Sequence, residues 1–379
     1  MKRLSMLCYL SIKKSISELL KYKLHGGRNM HDGYFRRVTE LTPTRLWINN
    51  PTPEEADKAI AAGAISCTTN PTFCMKQITA EPEHDYVISV IDDVIKEEDN
   101  DSKVADLVYQ KLAKKIMDKF LPLYEKNPGE QGFVSIQGDP FFDDDADHII
   151  NETLRFRKLG KNSIAKIPVT KAGLDALEVM IPEDIPMIAT EVMAISQAVY
   201  VCEMYKRVSK KYGMYPPFYL THITGIFDEH LQNVVKEKGI SISPDILWQA
   251  GCIIARKQYN IFKERSYRGI MLGGGARGLH HFTEMVGSEM HITINWKGTA
   301  DKLIELDPPV VYRMFNPASP HVVDELLEKV PDFKKAYFED GLKIDEFKDF
   351  GPVNLFRTQF MNGWSYLLNV IKERREKIT

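Results

Sequence analysis

Ser163-Ile164-Ala165-Lys166-Ile167-Pro168-Val169-Thr170 is a short apolar run with one lysine at its centre and Lys171-Ala172-Gly173 directly behind it. Flanked by turn residues and followed by the helical spacing of Leu174, Ala176, Leu177 and Met180, it reads as a buried parallel strand feeding a helix. Strand side chains alternate, so Ile164, Lys166 and Pro168 share one face. Burial disfavours an ammonium, and a neutral lysine amine attacks carbonyl carbon, which is Schiff-base chemistry. The plainer reading of the same residue is a lysine that snorkels from a strand end or pairs with a buried carboxylate.

Working outward from that strand, short β-type runs alternate with longer helical patterns. The strands are expected at 44–50, 65–70, 132–139, 163–169, 185–193, 218–224, 268–273 and 291–296. Repeated βα units imply a parallel sheet, and this number of them closes into a (β/α)8 TIM barrel. An open doubly wound sheet is the runner-up, but no GxGxxG opens the first helix. A charged, periodic insertion after the second strand (81–127) predicts one or two amphipathic helices on the barrel exterior. The expected organisation is a basic N-terminal extension (1–40), the barrel (41–306) and a helical C-terminal extension over one barrel end (307–379).

The chain of 379 residues carries 50 basic and 52 acidic residues, a formal charge of -2, so no global field recruits nucleic acid or an anionic membrane. A small-molecule partner is expected, and the exposed insertion helices suit a homodimer. No apolar run is long enough to span a membrane. The five cysteines are scattered, without a CxxC pair, as in a cytoplasmic protein with reduced thiols, and no metal site or cofactor is expected. Met1–Arg28 holds seven Lys/Arg and one acid, Glu18. Lys13-Lys14 follow its apolar patch, so it reads poorly as a signal peptide. It fits a basic helical extension or a frame opened ahead of Met30.

In a barrel of this kind the active site forms at the C-terminal strand ends. The polar residues there are Asn49 and Asn50, Thr68 with Asn70, then Ser135, Gln137 and Asp139. Thr190 and Glu191, Thr221 and His222, and the loop Gly273-Gly274-Gly275-Ala276-Arg277-Gly278 complete them. Three glycines can turn backbone N–H groups inward as an anion nest and Arg277 adds a forked cation, at the strand whose loop usually holds phosphate in such barrels.

These residues resemble the transaldolase family. The resemblance is carried by Thr68-Thr69-Asn70-Pro71-Thr72, Val134-Ser135-Ile136 and Ala165-Lys166-Ile167-Pro168-Val169-Thr170-Lys171-Ala172-Gly173. Thr190, Gln197-Ala198, Gly225, Asp228 and Arg277 extend it. It implies an (α/β)8 barrel, Lys166 as the Schiff-base lysine, Asn70 and Thr190 orienting the intermediate and a water, and Arg277 on a substrate phosphate. It also exposes departures. Asn49 stands where the family has an aspartate and Gln137 where it has a glutamate. Ile188, Thr221, Ile226 and Gly275 replace an asparagine, a serine, an arginine and a serine.

An amide does not exchange protons near neutral pH, so neither Asn49 nor Gln137 serves as acid or base. Asp139 is expected on the face of Gln137, and could return a carboxylate one step higher in the barrel. His222 titrates in a useful range. Glu191 is expected to point away from Thr190. The expected function is a Schiff-base transaldolase or aldolase acting on a ketose, with its phosphate, and an aldose acceptor. The alternative is a degenerate barrel that binds a sugar phosphate or a protein without turnover.

Overall fold

The structure, a computed structural model, describes residues 33–378, and the basic stretch Met1–Arg28 lies outside them. Eight strands close a barrel in chain order: β1 (Arg45–Asn49), β2 (Ser66–Thr68), β3 (Val134–Ile136), β4 (Ser163–Pro168), β5 (Met187–Val192), β6 (Phe218–Ile223), β7 (Ile270–Gly274) and β8 (Met290–Ile294). Every pairing is parallel, and β1 closes on β8 with Trp47 opposite Thr293. The (β/α)8 architecture read from the spacing of apolar runs is therefore the observed one.

Two separate apolar clusters follow from strand alternation. Trp47, Phe133, Ile164, Ile188, Tyr219 and Leu272 fill the barrel interior and floor it. Their neighbours in sequence, such as Ile48, Val134, Ala165, Ala189 and Leu220, face outward into the helical layer. Trp47 keeps its polar edge satisfied by donating from Nε1 to His291 Nδ1 at 2.9 Å, and burial pushes the His291 imidazole down to about 3, which keeps it a neutral acceptor. With the floor closed by bulky side chains, a ligand has room only above it, at the C-terminal strand ends.

Local sequence sets several helix starts. Thr52 accepts from Glu55 N while Glu55 reaches back to Thr52 N, with Pro53 in the first turn of the helix Pro53–Ala62. Thr170 caps Lys171–Met180 by accepting from Gly173 N at 3.0 Å, which ties the end of β4 to its helix. The insertion after β2 forms Phe73–Thr79, Glu81–Ile95 and Asp101–Lys126.

A helix Tyr34–Leu41 precedes β1, with Tyr34, Phe35 and Val38 buried. The last helix, Gly351–Ile378, buries Phe356, Phe360, Trp364, Leu367 and Ile371 on one stripe. It packs on the insertion helices and on Thr224–Lys238, so its first turns lie across the barrel mouth. Among the described residues no helix is long and apolar enough to cross a membrane, and Cys67, Cys74, Cys202 and Cys252 are buried free thiols.

Candidate active site

A cavity of about 260 Å³ opens at the C-terminal end of the barrel. It gathers Asn49, Thr68, Asn70, Lys166, Thr221, Gly275 and Arg277, all singled out in the sequence. Lys166 shares the inner face of β4 with the floor residue Ile164 and is 6% exposed. Burial pulls its ammonium down to about 8, against the opposing pull of Glu191 and Cys67. Its Nζ stands 5.7 Å from the ring centroid of Phe360 on the C-terminal helix.

The β1, β2 and β8 wall is an amide and hydroxyl network. Asn49 Oδ1 accepts from Thr68 Oγ1 at 2.9 Å, Asn49 Nδ2 donates to Asn295 Oδ1 at 2.9 Å, and Thr68 Oγ1 lies 2.7 Å from Thr293 Oγ1. Beside it, Asn70 Oδ1 accepts from Asn50 Nδ2, Thr72 N and Thr72 Oγ1 at 2.9, 3.0 and 2.7 Å. The Asn70 carbonyl is thus committed, and what Asn70 offers a ligand is its NH2 group.

Strand β5 departs from regular alternation where the chemistry is. Its register against β6 runs from Ala189 opposite Leu220 to Val192 opposite His222, so three steps on β5 span two on β6. Glu191 takes a left-handed φ of 63°, as expected of a residue bent out of the pleat. The bulge corrects the expectation that Glu191 points away from the site. Its Oε1 accepts from Gln137 Nε2 at 2.8 Å, and its charge acts on Lys166.

Glu191 is fully buried, and burial pushes its carboxyl up to about 7 against the opposing effects of Arg357, the Gln137 hydrogen bond and Lys166. Arg357, from the C-terminal helix, also contacts Asp143 at 3.2 Å. Among the described residues, Glu191 Oε2, Gln137 Oε1, Thr190 Oγ1 and Thr221 Oγ1 are buried polar atoms without a hydrogen-bond partner. A water or a substrate hydroxyl is what completes such buried groups.

Gln137, Thr190 and Glu191 do not line the cavity itself, and two further sequence-derived candidates lie elsewhere. β3 ends at Ile136, so alternation no longer carries Asp139 into the barrel. Asp139 Oδ1 instead accepts from Phe141 N at 2.9 Å as the cap of a 3-10 turn (Pro140–Phe142), and burial raises its carboxyl to about 6. It borders a void of about 10 Å³ shared with Gln137 and Lys166, and a separate outer cavity of about 700 Å³, but not the main cavity. His222 follows the inward Thr221 and so faces outward: its Nε2 donates to Gly251 O at 3.2 Å, and burial pushes it down to about 4. It is a neutral imidazole of the helical layer.

At the β7 end, Gly275 has φ 65°, and a Cβ there would meet Ile223 Cγ2 at 2.5 Å, so both conformation and space require glycine. A Cβ on Gly225 would meet Gly275 O at 2.3 Å, and this close approach sets the loop against the start of the helix Thr224–Lys238. Arg277 lines the cavity with Nε donating to Glu229 Oε2 at 2.6 Å and Nη2 donating to Gln359 Oε1 at 3.0 Å. The expected nest of inward N–H groups is incomplete, because Arg277 N and Gly278 N both donate to His281 Nδ1.

Sequence reasoning missed Lys76 and Lys297, which line the same cavity, as well as Gln359 and Phe360. With Lys166 and Arg277, the charged side chains of the lining are all cationic, an environment suited to an anionic ligand.

Asp228, His280 and His281 bring possible metal-ligand atoms within 4.8 Å. Because His281 Nδ1 accepts two backbone N–H bonds, its proton sits on Nε2, which donates to Asp228 Oδ2 at 2.9 Å and is not free to bind a cation.

A family model described as "Transaldolase/Fructose-6-phosphate aldolase" matches residues 46–343. The chain is 28% identical over 204 residues to a Helicobacter pylori (strain HPAG1) protein named transaldolase, covering 51% of this chain and 60% of that one. It is 24% identical over 212 residues to a Mycobacterium ulcerans (strain Agy99) transaldolase, covering 53% of this chain and 55% of that one. The matched stretch therefore spans 60% or less of these relatives' length. With the family model matching from β1 to beyond β8, the chain belongs to the transaldolase/fructose-6-phosphate aldolase family.

Proposed function

We propose that this chain forms an imine between Lys166 and a phosphorylated ketose and cleaves or transfers a three-carbon dihydroxyacetone unit. The observation that carries this reading is a buried amine held near 8 at the cavity floor, beside a buried carboxylate held near 7. Both groups change protonation state close to neutral pH, as acid/base work requires. Neutral Nζ adds to the ketone carbon, the carbonyl oxygen takes up a proton, and a carbinolamine results. Glu191, protonated, gives its proton to the departing hydroxyl, so water leaves and an iminium remains. The electrons of the adjacent C3–C4 bond then flow into the iminium, giving an enamine on Lys166, while the C4 hydroxyl proton passes through a water to the Glu191 carboxylate left by the previous step and an aldehyde is released. The enamine adds to an aldehyde acceptor or takes up a proton, and in either case hydrolysis of the resulting imine by water frees the lysine. Arg277, with Lys76 and Lys297 at the mouth, suits the phosphate.

A second reading has its own observation. Among the described residues no Asp or Glu side chain lines the cavity, Glu191 included, and Asn49 cannot take the C4 proton. A barrel that holds a sugar phosphate, even as an imine, without breaking C3–C4 is consistent with that lining.

Intact-mass spectrometry after incubation with fructose 6-phosphate and borohydride separates the two. The first reading expects a reduced three-carbon adduct that maps to Lys166 and is lost in Lys166→Met. A whole-sugar adduct favours the second. Absence of any adduct, from protein that still binds the sugar phosphate, defeats imine chemistry altogether.

A further inference from the structure

Five hydrogen bonds link β6 to the Arg277 loop. His222 Nε2 donates to Gly251 O at 3.2 Å, and Gly251 N donates to Asp228 Oδ1 at 2.6 Å. Asp228 Oδ2 accepts from His281 Nε2 at 2.9 Å, and His281 Nδ1 accepts from Arg277 N at 2.9 Å and Gly278 N at 3.1 Å. Asp228 and His281 are 2% and 3% exposed, so water does not compete for these bonds. The chain works in one protonation state only. Carbonyl and carboxylate oxygens accept at one end and backbone N–H groups donate at the other, so His281 must be the neutral Nε2–H tautomer.

We infer that His281, oriented by Asp228, is the positioning residue that fixes the Arg277 loop and so sets the preference for phosphorylated over unphosphorylated ketoses. This rests on the reading of that loop as the phosphate site. Turning Arg277 N and Gly278 N toward His281 leaves the guanidinium as the loop's anion contact. Glu229 holds its Nε and Gln359 its Nη2, so the side chain leaves the loop in one direction. Gly225 lets the loop approach the helix start closely, and His281 ties two consecutive backbone N–H groups of the loop.

The substitutions discriminate by what they can accept and donate. His281→Gln keeps an acceptor for the loop N–H groups and a donor for Asp228. His281→Leu keeps volume but neither bond. Asp228→Asn places an NH2 group against Nε2, favouring the Nδ1–H tautomer, whose proton then opposes the two backbone N–H groups.

Inorganic phosphate affinity by calorimetry, and borohydride trapping rates with fructose 6-phosphate and with fructose, are the measurements, on full-length protein with unchanged near-ultraviolet circular dichroism. His281→Leu and Asp228→Asn are each expected to weaken phosphate binding about tenfold and to lower the fructose 6-phosphate preference equally, with fructose trapping within about twofold of the parent; two backbone hydrogen bonds are lost in each. His281→Gln is expected to stay close to the parent. Parent-like phosphate affinity in both the Leu and Asn variants overturns the inference, and so does an equal loss with both sugars, which marks a general structural role. If the parent protein itself binds no phosphate, the reading of the loop as a phosphate site falls first, and the positioning role with it. Should His281→Leu not fold, Asp228→Asn decides alone.

Discussion

Gln137 Nε2 donates to Glu191 Oε1 across 2.8 Å, so the amide just past the end of β3 and the carboxylate on β5 form one buried pair near Lys166. Position 137 is an amide, yet a carboxylate stands within hydrogen-bond reach of it, contributed by β5 from beyond the intervening β4. The Glu191 carboxylate thus supplies negative charge near the lysine.

If Glu191 serves proton transfer at Lys166, Glu191→Gln is expected to slow borohydride-trapped imine formation by ~10²–10⁴-fold, the usual weight of a general acid/base group. Removing the negative charge also lowers the Lys166 pKa further, so the acidic limb of the pH–rate profile moves to lower pH. The transposed double variant Gln137→Glu/Glu191→Gln is expected to recover part of the rate. A single-variant rate equal to the parent across pH 6–9 (a range about the two pKa values) would remove Glu191 from the mechanism.

Asn49 lines the cavity, at the position where the sequence resemblance implies an aspartate. Asn49→Asp returns a group able to take the C4 hydroxyl proton, and release of the aldehyde fragment from fructose 6-phosphate is expected to rise by ~10²-fold. A coupled assay for that aldehyde measures it. No gain, with imine trapping intact, would locate the base elsewhere.

Lys166 also predicts a pH dependence of stability. Its ammonium is held at about 8, against 10.5 for an ordinary lysine. Between those values the unfolded chain binds the proton that the folded one does not, so this group makes stability rise with pH across that window. Below it the buried charge costs up to about 3 kcal/mol. Lys166→Met is therefore expected to raise the denaturation midpoint at pH 7 while gaining nothing at pH 10.5. Urea titrations at the two pH values test the sign.

Arg357 is buried between Asp143, at 3.2 Å, and the field of Glu191. Arg357→Met leaves two buried carboxylates without their cation and is expected to destabilise by about 3–5 kcal/mol. Both carboxyl pKa values should move further up. Asp143→Asn in the same chain is expected to restore much of the stability. An Arg357→Met midpoint within error of the parent would mean that neither carboxylate is ionised in the folded protein.

The strand count, the inward lysine and most of the cavity residues were legible because periodicity is local. Ile164 and Lys166 share a face by alternation alone, and the same rule puts Thr221 inward and His222 outward. Alternation failed at two points. At Asp139 the strand had already ended, and the carboxylate caps the following turn. At Glu191 one additional residue in β5 bends the chain, and no local signal in Ala189-Thr190-Glu191-Val192 announces it.

The sequence by itself determined the barrel, the lysine inside it and the glycine loop with Arg277, since each rests on apolar spacing or on a short motif read within one βα unit. Only the tertiary structure decided which carboxylate meets the lysine, because strand bulging depends on register against β6. It also decided that Arg357, Gln359 and Phe360 enter the site. Helix periodicity marks them as one stripe, but which surface that stripe covers depends on packing against strands and loops far away in the chain.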